Sequence, residues 1–172
     1  MRIHVTGIGL ISAIGNNVQE TIASLRTGKT GIAKGISPIS AGFHLGAVPK
    51  TNAELVEQFN LRTEGSRTAL LGMIAAQQAF SGHPQLERVR TGLISGTSVG
   101  GMDISEGEYK NFLEEKPHNL LNYRHHPSGT STEQIAEELG ITGFMNTIST
   151  ACSSAANAIM MGARLHNRIC GG

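Results

Sequence analysis

With 172 residues, 39% of them hydrophobic and 16% charged, the chain is long enough for one core of ordinary size, or for part of a larger protein. A formal net charge of +1 creates no field that favours nucleic acid or an acidic membrane surface, and no stretch reaches transmembrane length. Twenty-two glycines, no tryptophan and only two cysteines, Cys152 and Cys170, suit an α/β protein with tight turns. They do not suit a disordered chain, a disulfide framework or a metal-binding cysteine cluster, and the expected setting is reducing and cytoplasmic.

The opening "MRIHVTGIGLISAIG" is apolar but short, without a basic region or cleavage site, and reads as a strand and turn rather than a signal peptide. "RIHVTG" is the expected strand, closed by Gly7. "GNNVQETIASLRTG" predicts a helix with Asn16 or Asn17 as cap, Glu20 in the first turns and Gly28 as its stop. Residues 29–50 are rich in glycine and proline, with a short strand near "FHLGAV". Two helices follow, "NAELVEQF" and "TEGSRTALLGMIAAQQAF"; in the second, Leu70, Leu71, Ile74, Ala75 and Gln78 keep helical spacing. "RTGLISGT" predicts a buried strand, ahead of the glycine-rich "GTSVGG". "SEGEYKNFLEE" reads as helix and Lys116 to His126 as loop. "STEQIAEELG" reads as a helix with a capping box from Ser131 and Gln134, stopped by Gly140. Alternating strands and helices predict a mostly parallel sheet covered on both faces.

Three tempting patterns carry little. "VTGIGLIS" has Gly7 and Gly9 at dinucleotide-fingerprint spacing, but Ser12 stands at the third glycine and no acidic residue occupies the ribose position. "ASLRTGKT" offers Gly28, Lys29 and Thr30 but has Ala23 where a phosphate-binding loop opens with glycine. His125 and His126, beside Pro127, read as surface residues of a loop.

The segment "GFMNTISTACSSAANAIMMGARL", Gly143 to Leu165, is different. A β-branched stretch runs through Cys152 into a helix in which Ala156, Ile159, Met160 and Ala163 share one face, while Ala155, Ala158 and Met161 make the other apolar too. A helix apolar nearly all round belongs in an interior. Cys152 at its N-terminus would meet the positive end of the peptide dipoles and unpaired N–H groups, which favour a thiolate and can hold an oxyanion. The plain alternative is a small buried structural cysteine.

"TACSSAANAI" resembles the nucleophile motif of the β-ketoacyl synthases, the condensing enzymes of fatty-acid and polyketide synthesis. "VTGIGLISAIGNNVQETIASLRTGKTGI" resembles their N-terminal block, "GLISGTSVGG" their glycine-rich strand and turn, and "IAEELGITGFMNTISTACSS" their approach to the nucleophile. The matches keep family order and span nearly the whole chain. The resemblance implies a thiolase-like fold, with residues 1–172 as the N-terminal αβαβα half, a mostly parallel mixed sheet, and the C-terminal half absent. It implies that Cys152 accepts an acyl group from the phosphopantetheine arm of acyl carrier protein. Malonyl-acyl carrier protein then loses carbon dioxide and condenses with the Cys152 thioester. The Cys152 N–H is implied as an oxyanion donor, and Ser105, to within about a residue, as a side chain gating the acyl pocket near a dimer contact.

No metal and no bound cofactor are implied. The implied partners are acyl carrier protein and either a second copy or a related synthase subunit. The family's catalytic histidines and supporting lysine lie in its second half, so neither His125 nor His126 inherits those roles. The expectation is therefore a truncated product, a partial chain or one piece of a split enzyme, inactive in condensation by itself. The alternatives are a non-catalytic partner of another synthase and, from the same fold, a thiolase-type acyl-CoA enzyme.

Overall fold

A computed structural model describes residues 2–35, 40–81 and 91–170. The elements follow in the order α1 (Val18–Arg26), β1 (Ala33–Lys34), β2 (His44–Leu45), α2 (Asn52–Phe59), α3 (Arg67–Phe80), β3 (Leu93–Gly96), α4 (Met102–Leu113), α5 (Ser128–Leu139), β4 (Met145–Ile148) and α6 (Ser154–Cys170). The Cys170 side chain, Gly171 and Gly172 lie outside what is described.

Local chemistry accounts for most of the boundaries. Asn17 caps α1 by accepting from Glu20 N, and the Glu20 carboxylate reaches back to Asn16 N at 2.8 Å. Thr51 and Glu54 close a capping box on α2. Ser66 caps α3, and Asp103 in the first turn of α4 accepts from Arg67 N at 2.8 Å. Gly28 and Gly140 hold the left-handed turns that stop α1 and α5, at φ 66° and 65°.

The core is built where α2, α3 and α5 meet. Leu55, Ala69, Leu70, Met73 and Ile74 pack with Ile135, Ala136, Leu139 and Ile141, and Leu93 of β3 joins them. Each large side chain removed from water there contributes about 1.5–3 kcal/mol. The helices come close because Gly72 has no side chain: a Cβ there would lie 2.6 Å from Ile135 Cδ1.

β3 and β4 pair in parallel, Leu93 with Met145 through Gly96 with Ile148. Alternation along the pair sends Ser95 and Thr147 to one face and Ile94 and Gly96 to the other. Thr147 bonds buried Thr132 of α5 at 2.6 Å. A Cβ on Gly96 would lie 2.6 Å from Ser154 O, and Ile94 Cδ1 lies against Gly162. The sheet is therefore sandwiched, with α5 and its core on one side and α6 on the other.

Several expectations change. Residues 2–7 form no strand, because among the described residues no strand pairs with them; Val5 is 82% and Ile8 67% exposed. The segment instead runs along α3. A Cβ on Gly7 or Gly9 would strike the carbonyl oxygens of Ala79 and Ala75, and Gln78 bridges Leu10 N and Asn16 O. The two glycines thus serve close packing on a helix.

β3 is half-buried rather than buried, and the only other paired strands among the described residues are β1 and β2, two residues each and antiparallel. Lys116 to His126 includes a 3₁₀ helix at Leu120–His125. The Ser131–Gln134 capping box does not form, because α5 starts a turn earlier at Ser128. Ser131 Oγ bonds Ser128 O, and Gln134 Nε2 reaches Glu64 O. The largest change is α6: it is covered on one side only, leaving Ile159 76% and Met160 43% exposed.

Candidate active site

Between Ile148 at the end of β4 and Ser154 at the start of α6 the chain reverses through one 3₁₀ turn, Ala151–Ser153. Ala151 sits in the left-handed region at φ 52°, a conformation that costs a non-glycine residue about 1–3 kcal/mol unless its surroundings hold it. Hydroxyl groups do so here. Ser154 Oγ, 3% exposed as a residue, accepts from Thr150 N at 2.9 Å and donates to Ala151 O at 2.7 Å. Ser98 Oγ, from the loop after β3, donates to the same carbonyl at 3.2 Å. Ser153 Oγ donates to Thr150 O at 2.7 Å, and Asn157 Nδ2 donates to Thr150 Oγ1 at 2.9 Å.

Cys152 is exposed, on the tip of this turn. Among the described residues neither its N–H nor its thiol has a hydrogen-bond partner. It lies just ahead of α6 rather than within its first turn, still at the positive end of that helix. An accessible sulfur beside an unpaired N–H is what nucleophilic attack on a carbonyl and capture of the resulting oxyanion require.

The glycine-rich loop joins this turn to the second predicted residue. Past Ser98, a Cβ on Gly100 or Gly101 would collide with the backbone of His126 or His125. Ser105, on α4 and 7% exposed, donates to Gly101 O at 3.1 Å and meets His126 Nδ1 at 3.1 Å. His125 instead contacts Gln134 at 3.2 Å. No hydrogen bond links Cys152 to Ser105, His125 or His126 among the described residues.

Glu108 of α4 ties this neighbourhood down by accepting from Asn119 N at 2.7 Å and Asn122 Nδ2 at 2.6 Å. Those bonds, the backbone one foremost, hold its carboxyl below the ordinary glutamate range. A cavity of about 540 Å³ lies between the β1–β2 hairpin and α2, bordered by Leu45, Val48, Pro49 and Arg67, and none of its lining belongs to the Cys152 turn. No trio of metal-ligating side chains converges among the described residues.

Ser98, Ser154 and Asn157 were not singled out by the sequence, although the density of hydroxyls in "STACSS" and "GTS" was the available signal.

Comparison with known proteins bears on the same region. A family model described as "Beta-ketoacyl synthase, N-terminal domain" matches residues 1–171. The chain is 30% identical to 3-oxoacyl-[acyl-carrier-protein] synthase 1 of Escherichia coli (strain K12), covering 90% of this chain and 41% of that protein. It is 27% identical to 3-oxoacyl-[acyl-carrier-protein] synthase 2 of Vibrio cholerae, over 95% of this chain and 42% of the relative. The corresponding enzyme of Synechocystis is also 27% identical, over 99% of this chain and 45% of the relative. The chain thus spans less than half the length of these relatives. With that match running through the Cys152 turn and both layers around the sheet, the chain belongs to the β-ketoacyl synthase family and has the thiolase-like α/β fold of its N-terminal domain.

Proposed function

We propose that this chain bears the nucleophile of a decarboxylating condensing enzyme acting on acyl and malonyl groups carried by acyl carrier protein. The observation that carries this reading is the exposed Cys152, with its free N–H, on a turn held in a left-handed conformation at the head of α6. The thiolate of Cys152 attacks the acyl thioester carbonyl, its oxygen takes the negative charge beside the Cys152 N–H, and the phosphopantetheine thiolate leaves and takes up a proton. Malonyl-acyl carrier protein then loses carbon dioxide. The carbanion so formed attacks the Cys152 thioester, making the carbon–carbon bond and releasing the Cys152 thiolate.

The remaining assignments belong to the same proposal. Ser105, buried on α4 and tied to the glycine-rich loop, borders the acyl pocket, and Ser105→Phe shortens the accepted chain. No cofactor is bound apart from the carrier's arm. The enzyme works in the cytoplasm as a dimer, either of identical chains or with a related synthase subunit. The bare side of α6 receives the remainder of the enzyme, which supplies the groups for decarboxylation.

The test is incubation with acyl-acyl carrier protein, in the presence of a complementary C-terminal synthase half, followed by mass mapping. A single acyl adduct on Cys152, absent from Cys152→Ala, is expected. No adduct, or the same adduct in Cys152→Ala, contradicts the reading and leaves a non-catalytic partner role.

A further inference from the structure

We propose that Ser98 and Ser154 are positioning residues that aim the Cys152 N–H by gripping the opposite edge of the same peptide group; this rests on the acyl-transfer reading above. The carbonyl of Ala151 and the N–H of Cys152 share one planar unit, and in a trans peptide they point in opposite directions. The chain contains no cis peptide bond among its described residues. Fixing the carbonyl therefore fixes the N–H.

The plane needs fixing, because Ala151 already sits in a sparsely populated conformation at φ 52°, and the Ala151–Cys152 peptide can still turn about ψ of Ala151 and φ of Cys152 unless its carbonyl is held. The Ser154 N–H donates to that carbonyl, and two hydroxyls add to its hold against rotation. Ser154 Oγ donates to the carbonyl at 2.7 Å and is itself aimed by the Thr150 N–H at 2.9 Å. Ser98 Oγ adds a second donor at 3.2 Å from a loop 53 residues earlier in the chain. The glycine-rich loop thus contributes to the site a hydroxyl that never touches the substrate.

A purely structural role for these serines would disturb every reaction of Cys152 alike, whereas an aiming role disturbs only reactions that pass through an oxyanion. The protein, in the assembly used for acyl transfer, is therefore compared with Ser98→Ala, Ser98→Thr and Ser154→Ala in two reactions. Iodoacetamide alkylates the thiolate by displacing iodide and forms no oxyanion. An acyl-coenzyme A thioester transfers its acyl group to the sulfur, releases the coenzyme A thiol, and does form one.

Ser98→Ala is expected to alkylate within about 2-fold of the unchanged protein and to acylate about 10-fold more slowly, since losing a direct oxyanion donor costs 10²–10³-fold and an indirect one less. Ser98→Thr restores the rate, and Ser154→Ala shows the same split with a larger loss. Unchanged acylation in Ser98→Ala overturns the proposal, as do parallel losses in both reactions. Unchanged protein that alkylates at Cys152 but never acylates overturns the acyl-transfer reading itself, before any variant is compared.

Discussion

Helices α3 and α6, of 14 and 17 residues, are both rich in alanine, methionine and branched apolar side chains, yet they end in opposite situations. α3 buries Ala69, Leu70, Met73 and Ile74 to 1% exposure or less, whereas α6 leaves Ile159 76% exposed. The chain's own α2 and α5 close around α3. α6 has the β3–β4 pair beneath it, and among the described residues no helix covers its other side. Apolar surface of this extent on a helix is what a further partner would cover. Cys152 stands on the seam between the two regions, reached by the loop from β3 and carried by the turn into α6. One half of the molecule is closed around its own core, and the other carries the exposed Cys152 beside an uncovered apolar helix face.

That contrast can be broken at its strongest point, the clasp at Glu138. Its carboxylate, 1% exposed, accepts from the N–H groups of Arg62 and Thr63, both at 2.9 Å, and from Gln77 Nε2 at 2.9 Å. The Arg62 guanidinium also reaches the Glu138 carbonyl oxygen. The Arg62 side chain is 70% exposed and its Nε lies 3.8 Å from the carboxylate, so the ion pair adds little, and the N–H bonds to the buried carboxylate dominate. Glu138→Ala strands three donors and is expected to cost about 3–5 kcal/mol in denaturant unfolding.

Leu70→Ala, opening a cavity in the closed core, is expected to cost about 3 kcal/mol in the same measurement. Ile159→Ala, on the bare side of α6, is expected to change the stability of this chain by less than about 0.5 kcal/mol. A loss comparable to that of Leu70→Ala would show that the α6 face is already covered in solution, through self-association, and would remove the contrast.

The smallest effect concerns acid. Folded Glu108 holds its proton less tightly than an unfolded glutamate, because Asn119 N and then Asn122 donate to its charged form. It therefore favours folding above the unfolded value of about 4.3, and this contribution is lost as pH falls through the lower folded value. The protection of the Asn119 amide, taken relative to the intrinsic exchange rate at each pH, is expected to fall over that acidic interval, and Glu108→Gln to abolish the dependence.

The self-contained region was the more legible in the sequence. "NAELVEQF" matches α2 residue for residue, Asn17 proves to be the cap of the two candidates Asn16 and Asn17, and Gly140 is the stop expected, all from local chemistry that needs only near neighbours. Where the reading strayed, a distant partner decided. "RIHVTG" has a strand's composition but no described ladder partner, so Gly7, with Gly9 just beyond it, settles against α3 instead. Gln134 had the spacing of a capping residue, but its amide is taken by Glu64 O, 70 residues away in sequence.

Cys152 stood out because a lone cysteine between strand and helix is a local pattern. The Ser98 hydroxyl did not, because it reaches Ala151 only once the sheet is formed. The full cover that its composition predicts for α6 is not met among the described residues, which fill only one side of the helix.

The most direct test of an incomplete site is a condensation assay on purified chain with acyl- and malonyl-acyl carrier proteins, run alone and with a complementary C-terminal synthase half. The account predicts turnover only in the mixture. The chain alone is expected to fall at least about 10⁴-fold lower, since preorganised donors at the malonyl thioester oxygen contribute about 3–4 kcal/mol each. Robust condensation by the chain alone would contradict it, and would mean that His125, His126 or another group within these 172 residues performs the decarboxylation.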